Sequence, residues 1–574
     1  MHGLHLYPVP RWISGRDTTA EPAIALQGYR LCVQAGTITL TAHDAAGAFY
    51  GAQTLAQLHQ HYPHGIPVIV VVDAPAIAIR GVMLDVSRDK MPTTATLEHM
   101  LDRLATLRYN VLVLYLEHTF AHPGHDEVWQ AASPFTAEEI AHLRAYARAR
   151  HITLVPQQNA LGHMERWLKH PRYAHLAALP GGYHAPNGDH EPAACLEPRN
   201  PQSFSLIEEL LTNVATTFDA PFVHIGLDEP IDLNPAVWDA IFDVPGAVAP
   251  WADIDNGAFC VPLSVDRLND YTHWVRRIHQ IPSLAQRRLL MWADVLAPNP
   301  DVIPRIPSDM TLIEWGYDAH HPFDARVGRL KSHGHRCWVA PGTATWDSMA
   351  GRVDMMVANV DGAVEAAITH GCEGLLMCEW GNAGHVHHAA ISWPGFVYAA
   401  VKAWNPASAV DLTDALATIT YDTQLARATI HIGRLDRRFA PSVPGAGTLA
   451  SILVRPGTAR QLAEQGLTPS MLDAAWTDVT DVLRECASTT IPRRIDDGDI
   501  WHHEITTTAK WMKLAIARAQ HELGWPSMCT ADEMTTLHTS LLNEYPTLWL
   551  ARNRPGGMQD SLDKLTAMVA SSHA

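Results

Sequence analysis

Positive charge is scarce in this chain: 42 lysines and arginines against 60 aspartates and glutamates leave a formal charge of −18 over 574 residues. Nucleic acid and anionic membranes both require concentrated Lys and Arg, so neither is expected as a partner. Long apolar runs are also missing. No stretch reaches the roughly 20 residues that a bilayer-spanning helix needs, and the opening MHGLHLYPVPRW lacks the basic-then-apolar order of a secretory signal. Cysteine is sparse and unpatterned: Cys32, Cys195, Cys260, Cys337, Cys372, Cys378, Cys486 and Cys529 include no C-x-x-C. In a chain this long they read as reduced core thiols, not as a disulfide framework or a zinc site, and the cytoplasm is the expected compartment. What is present is an apolar fraction of 47%, enough to bury a substantial core. The length allows roughly three to five domains, fewer if one is a large barrel.

Three regions follow one another. Residues 29–42 (YRLCVQAGTITLTA) read as two strands around a Gly-containing turn. AAGAFYGAQTLAQLHQ then reads as a helix with Phe49, Thr54, Leu55 and Leu58 near helical spacing, and this small α+β unit ends near residue 77. Residues 78–408 repeat a short apolar strand followed by a helix. The strands are expected at 79–87, 110–117, 151–158, 222–228, 288–294, 311–316, 336–342 and 373–381. Leu97, Met100, Leu101, Leu104 and Leu107 make one apolar helix face, and Thr136 with Glu139 forms a capping box ahead of Ile140 and Leu143. Eight such units give the count of a (β/α)8 TIM barrel, within the α/β class. A doubly wound open sheet competes, but no G-x-G-x-x-G follows the first strand. From residue 409 to 574 the patterns are helical only, with no low-complexity tract.

Chemistry gathers at the carboxyl ends of barrel strands. There the chain places Glu117 on the second strand, Gln157 and Gln158 on the third, and the adjacent pair Asp228 and Glu229, in HIGLDEP, on the fourth. Trp292 and Asp294 follow on the fifth, Glu314, Trp315 and Tyr317 on the sixth, and Glu379 and Trp380 on the eighth. One strand-end acid is ordinarily solvated or ion-paired. Carboxylates and tryptophans converging from several strands suit a sugar ring, which stacks its C–H face on an indole and is cleaved by paired acids.

At these residues the chain resembles glycoside hydrolase family 20, the β-N-acetylhexosaminidases. AGAFYGAQTLAQL resembles the end of the family's small N-terminal domain, IRGVMLDVSRDKMP its first barrel strand, and HIGLDEP its Asp-Glu signature. GTATWDSMAGR and EWGNAGHVHHAAISWPGFVYAA resemble the last barrel segments of a bacterial branch, and YLEHTF is closer to the intracellular hexosaminidase D type than to lysosomal enzymes. The resemblance spans residues 40–400. It implies an exo-acting retaining enzyme that removes terminal β-linked N-acetylglucosamine or N-acetylgalactosamine from an oligosaccharide or glycoconjugate. The substrate's own acetamido oxygen serves as nucleophile, and no cofactor or metal is required. Glu229 is then the general acid, and Asp228 orients the acetamide and stabilises the oxazolinium intermediate. Two acids so close are expected to raise one pKa.

The resemblance carries further assignments. Arg80 matches the arginine that binds the sugar's 3- and 4-hydroxyls, although strand direction alone puts it near the barrel's bottom. His163, in ALGHMERW, matches a Gly-His after the third strand. Trp292, Trp315 and Trp380 are the candidate walls around the acetamido methyl, and Tyr317 is the candidate donor to its carbonyl. Glu117 substitutes for an acidic stretch that is absent, Glu379 joins the substrate-binding set, and Leu227 replaces a usual glycine.

Two other chemistries compete. The 34 histidines, with HPGHDEVW and GHVHH, admit a metal hydrolase on the same barrel. Barrel metallohydrolases typically carry His-x-His on the first strand, where this chain has LDVSRD. A catalytically inactive sugar-binding barrel would not need the acid pair. Finally, TLWLARNRPGG (547–557), with Trp549, Arg552 and Arg554, is either a packed terminal helix or a border of the sugar site, in its own chain or across a homodimer.

Overall fold

The computed structural model describes residues 12–14, 23–184, 190–234, 263–296, 299–440, 442–443, 445–489 and 497–570; Cys260 lies outside them. The first unit is an antiparallel sheet, ordered β1-β4-β2-β3, of β1 (Trp12–Ser14), β2 (Tyr29–Gln34), β3 (Thr37–Ala42) and β4 (Ile69–Asp73). A helix, Ala45–His61, packs on it, started by Asp44, whose carboxylate accepts the Gly47 N–H at 2.8 Å. That cap satisfies an otherwise orphaned helix donor.

The repeating unit closes a barrel. Its strands are β5 (Ile79–Asp85), β6 (Val111–Leu116), β7 (Thr153–Gln158), β10 (Phe222–His224), β11 (Arg288–Trp292), β12 (Thr311–Trp315), β13 (Arg336–Ala340) and β14 (Gly374–Glu379). All pair in parallel, and β14 pairs with β5 to complete the ring. A short hairpin, β8 (Tyr183–His184) and β9 (His190–Glu191), interrupts the third crossover. Near-continuous apolar strands are what a sheet covered on both faces requires, and β6 and β14 are buried throughout. The helix Thr94–Thr106 turns Leu97, Met100, Leu101 and Leu104 inward, and Thr136 and Glu139 make the expected capping box.

Two buried arginines fasten the first unit to the barrel's lower rim. Arg108 pairs with Asp73 at 3.0 Å, and Asp73 also accepts from Tyr29 and Trp404. Arg80 donates to the carbonyls of Arg108, Ile77 and Ala78 and to Gln27 and Tyr50. After the helix Trp393–Trp404 the described chain is helical, from Leu412–Thr420 to Met558–Ala570. Its core is continuous with that of the barrel.

Candidate active site

The strand β10 ends early, at His224, and the chain then turns through residues in the left-handed region: Gly226 (φ 67°), Leu227 (φ 75°) and Glu229 (φ 45°). A glycine would adopt φ 75° freely, whereas leucine pays a steric cost there. Full burial of Leu227 and a hydrogen bond from Tyr271 Oη to its carbonyl (3.1 Å) hold it in place. Close approach matters too: a Cβ on Gly162 would sit 2.7 Å from the Asp228 carbonyl oxygen. This turn aims the two acids into one cavity.

That cavity, about 580 Å³, opens at the carboxyl ends of the strands and is lined by Asp228, Glu229, His163, Arg88 and a set of aromatic rings. His163 Nε2 lies 3.3 Å from an oxygen of each acid, without a well-aligned hydrogen bond to either. Burial alone would raise the Asp228 carboxyl, but the His163 imidazolium, and Arg88 beyond it, hold it below the usual carboxylate range. His163 is shifted the opposite way: burial disfavours its charge, yet the two acids push its pKa well above that of a free histidine. Asp228 Oδ1 is buried and has no hydrogen-bond partner among the described residues, an acceptor left open toward a ligand. Beneath the pair, Asp294 accepts the Glu229 N–H at 3.0 Å and Trp315 Nε1 at 3.3 Å. Burial, then the neighbouring Asp228 and Glu229, push Asp294 up to about 8. The raised carboxyl is thus this third acid, while Asp228 moves down.

Trp292, Trp315, Tyr317 and Trp380 all line the cavity, as does Trp346, which sequence reasoning missed. Trp315 stacks on Tyr317 with ring centroids 5.2 Å apart, and Trp346 meets Tyr317 edge-on at 4.9 Å. Trp380 Nε1 donates to Tyr317 Oη at 2.7 Å, which fixes the phenol and leaves its proton to point elsewhere.

Arg80 is a correction. It sits at the second position of β5, hence at the amino end of the barrel, spent on backbone carbonyls far from the cavity mouth. An arginine of this stretch that does line the cavity is Arg88, just past the carboxyl end of the same strand. Its guanidinium meets Asp85 (3.0 Å), Glu117 (3.2 Å) and Tyr115 Oη (3.2 Å) and lies over the Trp380 ring at 5.2 Å. LDVSRD contained it; the strand-direction argument applied to Arg88 would have found it.

Glu117 does not line the cavity. It pairs with Arg88 and accepts from Tyr115, so it orients the arginine. Glu379 also faces away, into a separate cavity of about 80 Å³, where its carboxylate meets His385 Nε2 (2.8 Å), His387 Nε2 (2.7 Å) and Ser392 Oγ (3.3 Å). The donor atoms of Glu379, His385 and His387 lie within 4.8 Å of one another, so the GHVHH run does form a cluster that could hold a cation. Glu314 is likewise turned aside, bound by His321 (2.9 Å) and Arg326 (3.2 Å). Arg552 is buried against Glu504 and Asp497 and also borders the small cavity, not the large one.

The description "glycosyl hydrolase family 20, catalytic domain" matches residues 78–352, and "glycosyl hydrolase family 20, domain 2" matches residues 6–74, together more than half of the chain. The chain belongs to glycosyl hydrolase family 20. Among curated relatives, beta-hexosaminidase subunit A1 of Dictyostelium discoideum is 29% identical over 215 residues, covering 35% of this chain and 39% of its own length. A beta-hexosaminidase of Emericella nidulans is 24% identical over 311 residues, covering 50% and 49%. The chain therefore spans half or less of the length of these relatives. Two solved structures share the fold. An exo beta-N-acetylglucosaminidase of Vibrio harveyi has a TM-score of 0.52 at 18% identity, covering 72% of this chain and 68% of that one. A chitobiase of Flavobacterium johnsoniae has a TM-score of 0.53 at 16% identity, covering 94% and 86%.

Proposed function

We propose that the chain is an exo-acting, retaining β-N-acetylhexosaminidase that releases terminal N-acetylglucosamine or N-acetylgalactosamine by substrate-assisted catalysis. The observation that carries this reading is the disposition of carboxylates. A conventional double displacement needs a nucleophilic carboxylate facing the acid across about 5 Å of sugar. Glu314 and Glu379, the two strand-end glutamates that compete for that role, do not line the cavity and are held by His321 and Arg326 and by His385 and His387. Asp228 stands beside Glu229 instead, where its open Oδ1 can accept an acetamido N–H.

Each role follows from environment. Asp228, held ionised, orients the acetamide so that its oxygen meets the anomeric carbon, and offsets the positive charge of the oxazolinium ring. Glu229, whose side chain is 30% exposed, reaches the leaving oxygen, gives it a proton, and then takes one from the incoming water. His163 bridges the two acids electrostatically. Arg88, held by Asp85 and Glu117, presents donors to ring hydroxyls, and the indoles of Trp315, Trp346 and Trp380 enclose the apolar methyl and ring faces. A p-nitrophenyl β-glycoside with a 2-acetamido group should be hydrolysed, and its 2-hydroxyl counterpart should not. Comparable turnover of both, or a covalent adduct with a 2-fluoro sugar, would refute the mechanism. Activity insensitive to chelator separates it from a metal hydrolase.

A further inference from the structure

Among the described residues, Arg352 on the wall of this cavity forms no ion pair. Arg352 precedes the helix Val353–His370, lines the same cavity as the catalytic pair, and is 6% exposed. Among the described residues its guanidinium pairs with no carboxylate: Nε is buried without a hydrogen bond, and Nη1 reaches only Met355 Sδ at 3.8 Å. Burial disfavours its charge, and Asp436, Asp347 and Asp318 compensate only from a distance.

Those acids have other engagements. Asp347 accepts from Asn382 Nδ2 at 2.8 Å, and Asp436 accepts the Thr448 N–H at 2.9 Å while burial pushes its own carboxyl toward the neutral form. Asp318, exposed on the cavity's rim, makes no ion pair with Arg352. A second arginine, Arg455, reaches the same cavity from the C-terminal helical region, exposed and without a described carboxylate partner.

An unpaired buried guanidinium is costly, and an apolar residue of similar size would pack there at less expense to stability. Its planar fork of donors matches an oxyanion, and apolar neighbours such as Trp346 and Met355 lower the local dielectric in which that match is made. Resting on the hexosaminidase reading, we propose that Arg352 and Arg455 form a subsite for an acidic substituent, a carboxylate or a sulfate ester, carried by the substrate. The subsite would make charged glycans the preferred class for this enzyme.

The test compares the full chain on matched substrates. One pair is the p-nitrophenyl aminosugar and its 6-O-sulfate. The other is the aminosugar β-linked to glucose and to glucuronate. At least one acidic member should exceed its neutral partner in kcat/KM by about tenfold, the scale of a hydrogen bond to a charged group. The pair that responds tells whether the acidic group rides on the cleaved or the leaving sugar. Arg352→Met and Arg455→Met should each shrink the acid-to-neutral ratio, and raising the salt concentration should do the same. Wild-type ratios at or below one for both pairs overturn the subsite, even if Arg352→Met fails to fold. Absence of turnover on all four substrates, neutral and acidic, would instead overturn the hydrolase reading. In that event calorimetric affinities of the same two pairs still decide the subsite: equal or weaker binding of both acidic members sinks it.

Discussion

The change Asp228→Asn probes the proposed mechanism at its narrowest point. It preserves side-chain shape, so packing and the Leu227 turn should survive. The carboxylate has one oxygen 3.3 Å from His163 Nε2 and another, Oδ1, buried without a partner among the described residues. An amide can keep an acceptor on one of those sides only, and it carries no charge to set against an oxazolinium. A charge-assisted hydrogen bond is about twice as strong as a neutral one, and removing one preorganised donor or acceptor to developing charge typically costs about 3 kcal/mol. That corresponds to a loss on the order of 10² in kcat. KM should change far less, because the charge develops only on the way to the intermediate. A second signature comes from His163, whose charged form Asp228 stabilises. Without that carboxylate the imidazolium should lose its proton at lower pH, and the corresponding limb of the kcat/KM profile should move down. Steady-state kinetics across pH, with affinity for a thiazoline mimic of the bicyclic intermediate, read both effects. Retention of kcat within tenfold together with unchanged thiazoline affinity would refute the assigned role and leave Asp228 as a packing element.

Glu229→Gln should cripple substrates with sugar leaving groups by ~10²–10⁴-fold while largely sparing p-nitrophenolate, which needs little protonation; equal losses would contradict the general-acid role. Arg88→Met and Arg80→Met should separate cleanly: the first raises KM, whereas the second lowers Tm because it strips hydrogen bonds from the buried carbonyls of Ile77 and Arg108 at the interface with the first unit. Asp294, with a folded-state pKa of about 8 against about 3.9 unfolded, binds more protons when folded, so its contribution to stability declines as pH rises from about 4 through 8. Asp294→Asn should flatten that decline in Tm between pH 6 and 9; an unchanged slope would place the titration elsewhere.

The barrel was legible because parallel strands covered on both faces must be apolar along their whole length, and each expected strand was found within a few residues. β10 was the poorest match, expected through Asp228 and found to end at His224. The reason is local: positive φ at Gly226, Leu227 and Glu229 takes the chain out of the sheet while it still points the acids into the barrel mouth. A departure read as a substitution, Leu227 for glycine, thus marks the strained turn itself. Strain of this kind is invisible to periodicity, which counts faces and not dihedral angles.

The site residues divide along a related line. Alternation on a strand says which side chains point inward, but only position along the strand says which end of the barrel they reach. Arg80 and Arg88 are eight residues apart in one stretch, so family likeness alone could not choose between them. Strand direction could, and it placed Arg80 at the bottom, where the structure has it. Glu379 shows the converse. It stands at the correct end, yet its neighbour Trp380 lines the large cavity while Glu379 turns to His385 and His387. Adjacent residues at a strand's end leave on opposite sides of the sheet. For Asp228 and Glu229 that rule fails, because the chain there is no longer a strand. Two consecutive carboxylates can share one cavity only where the backbone abandons the pleat, so the distorted turn after His224 is a precondition for the paired chemistry and not an accident beside it.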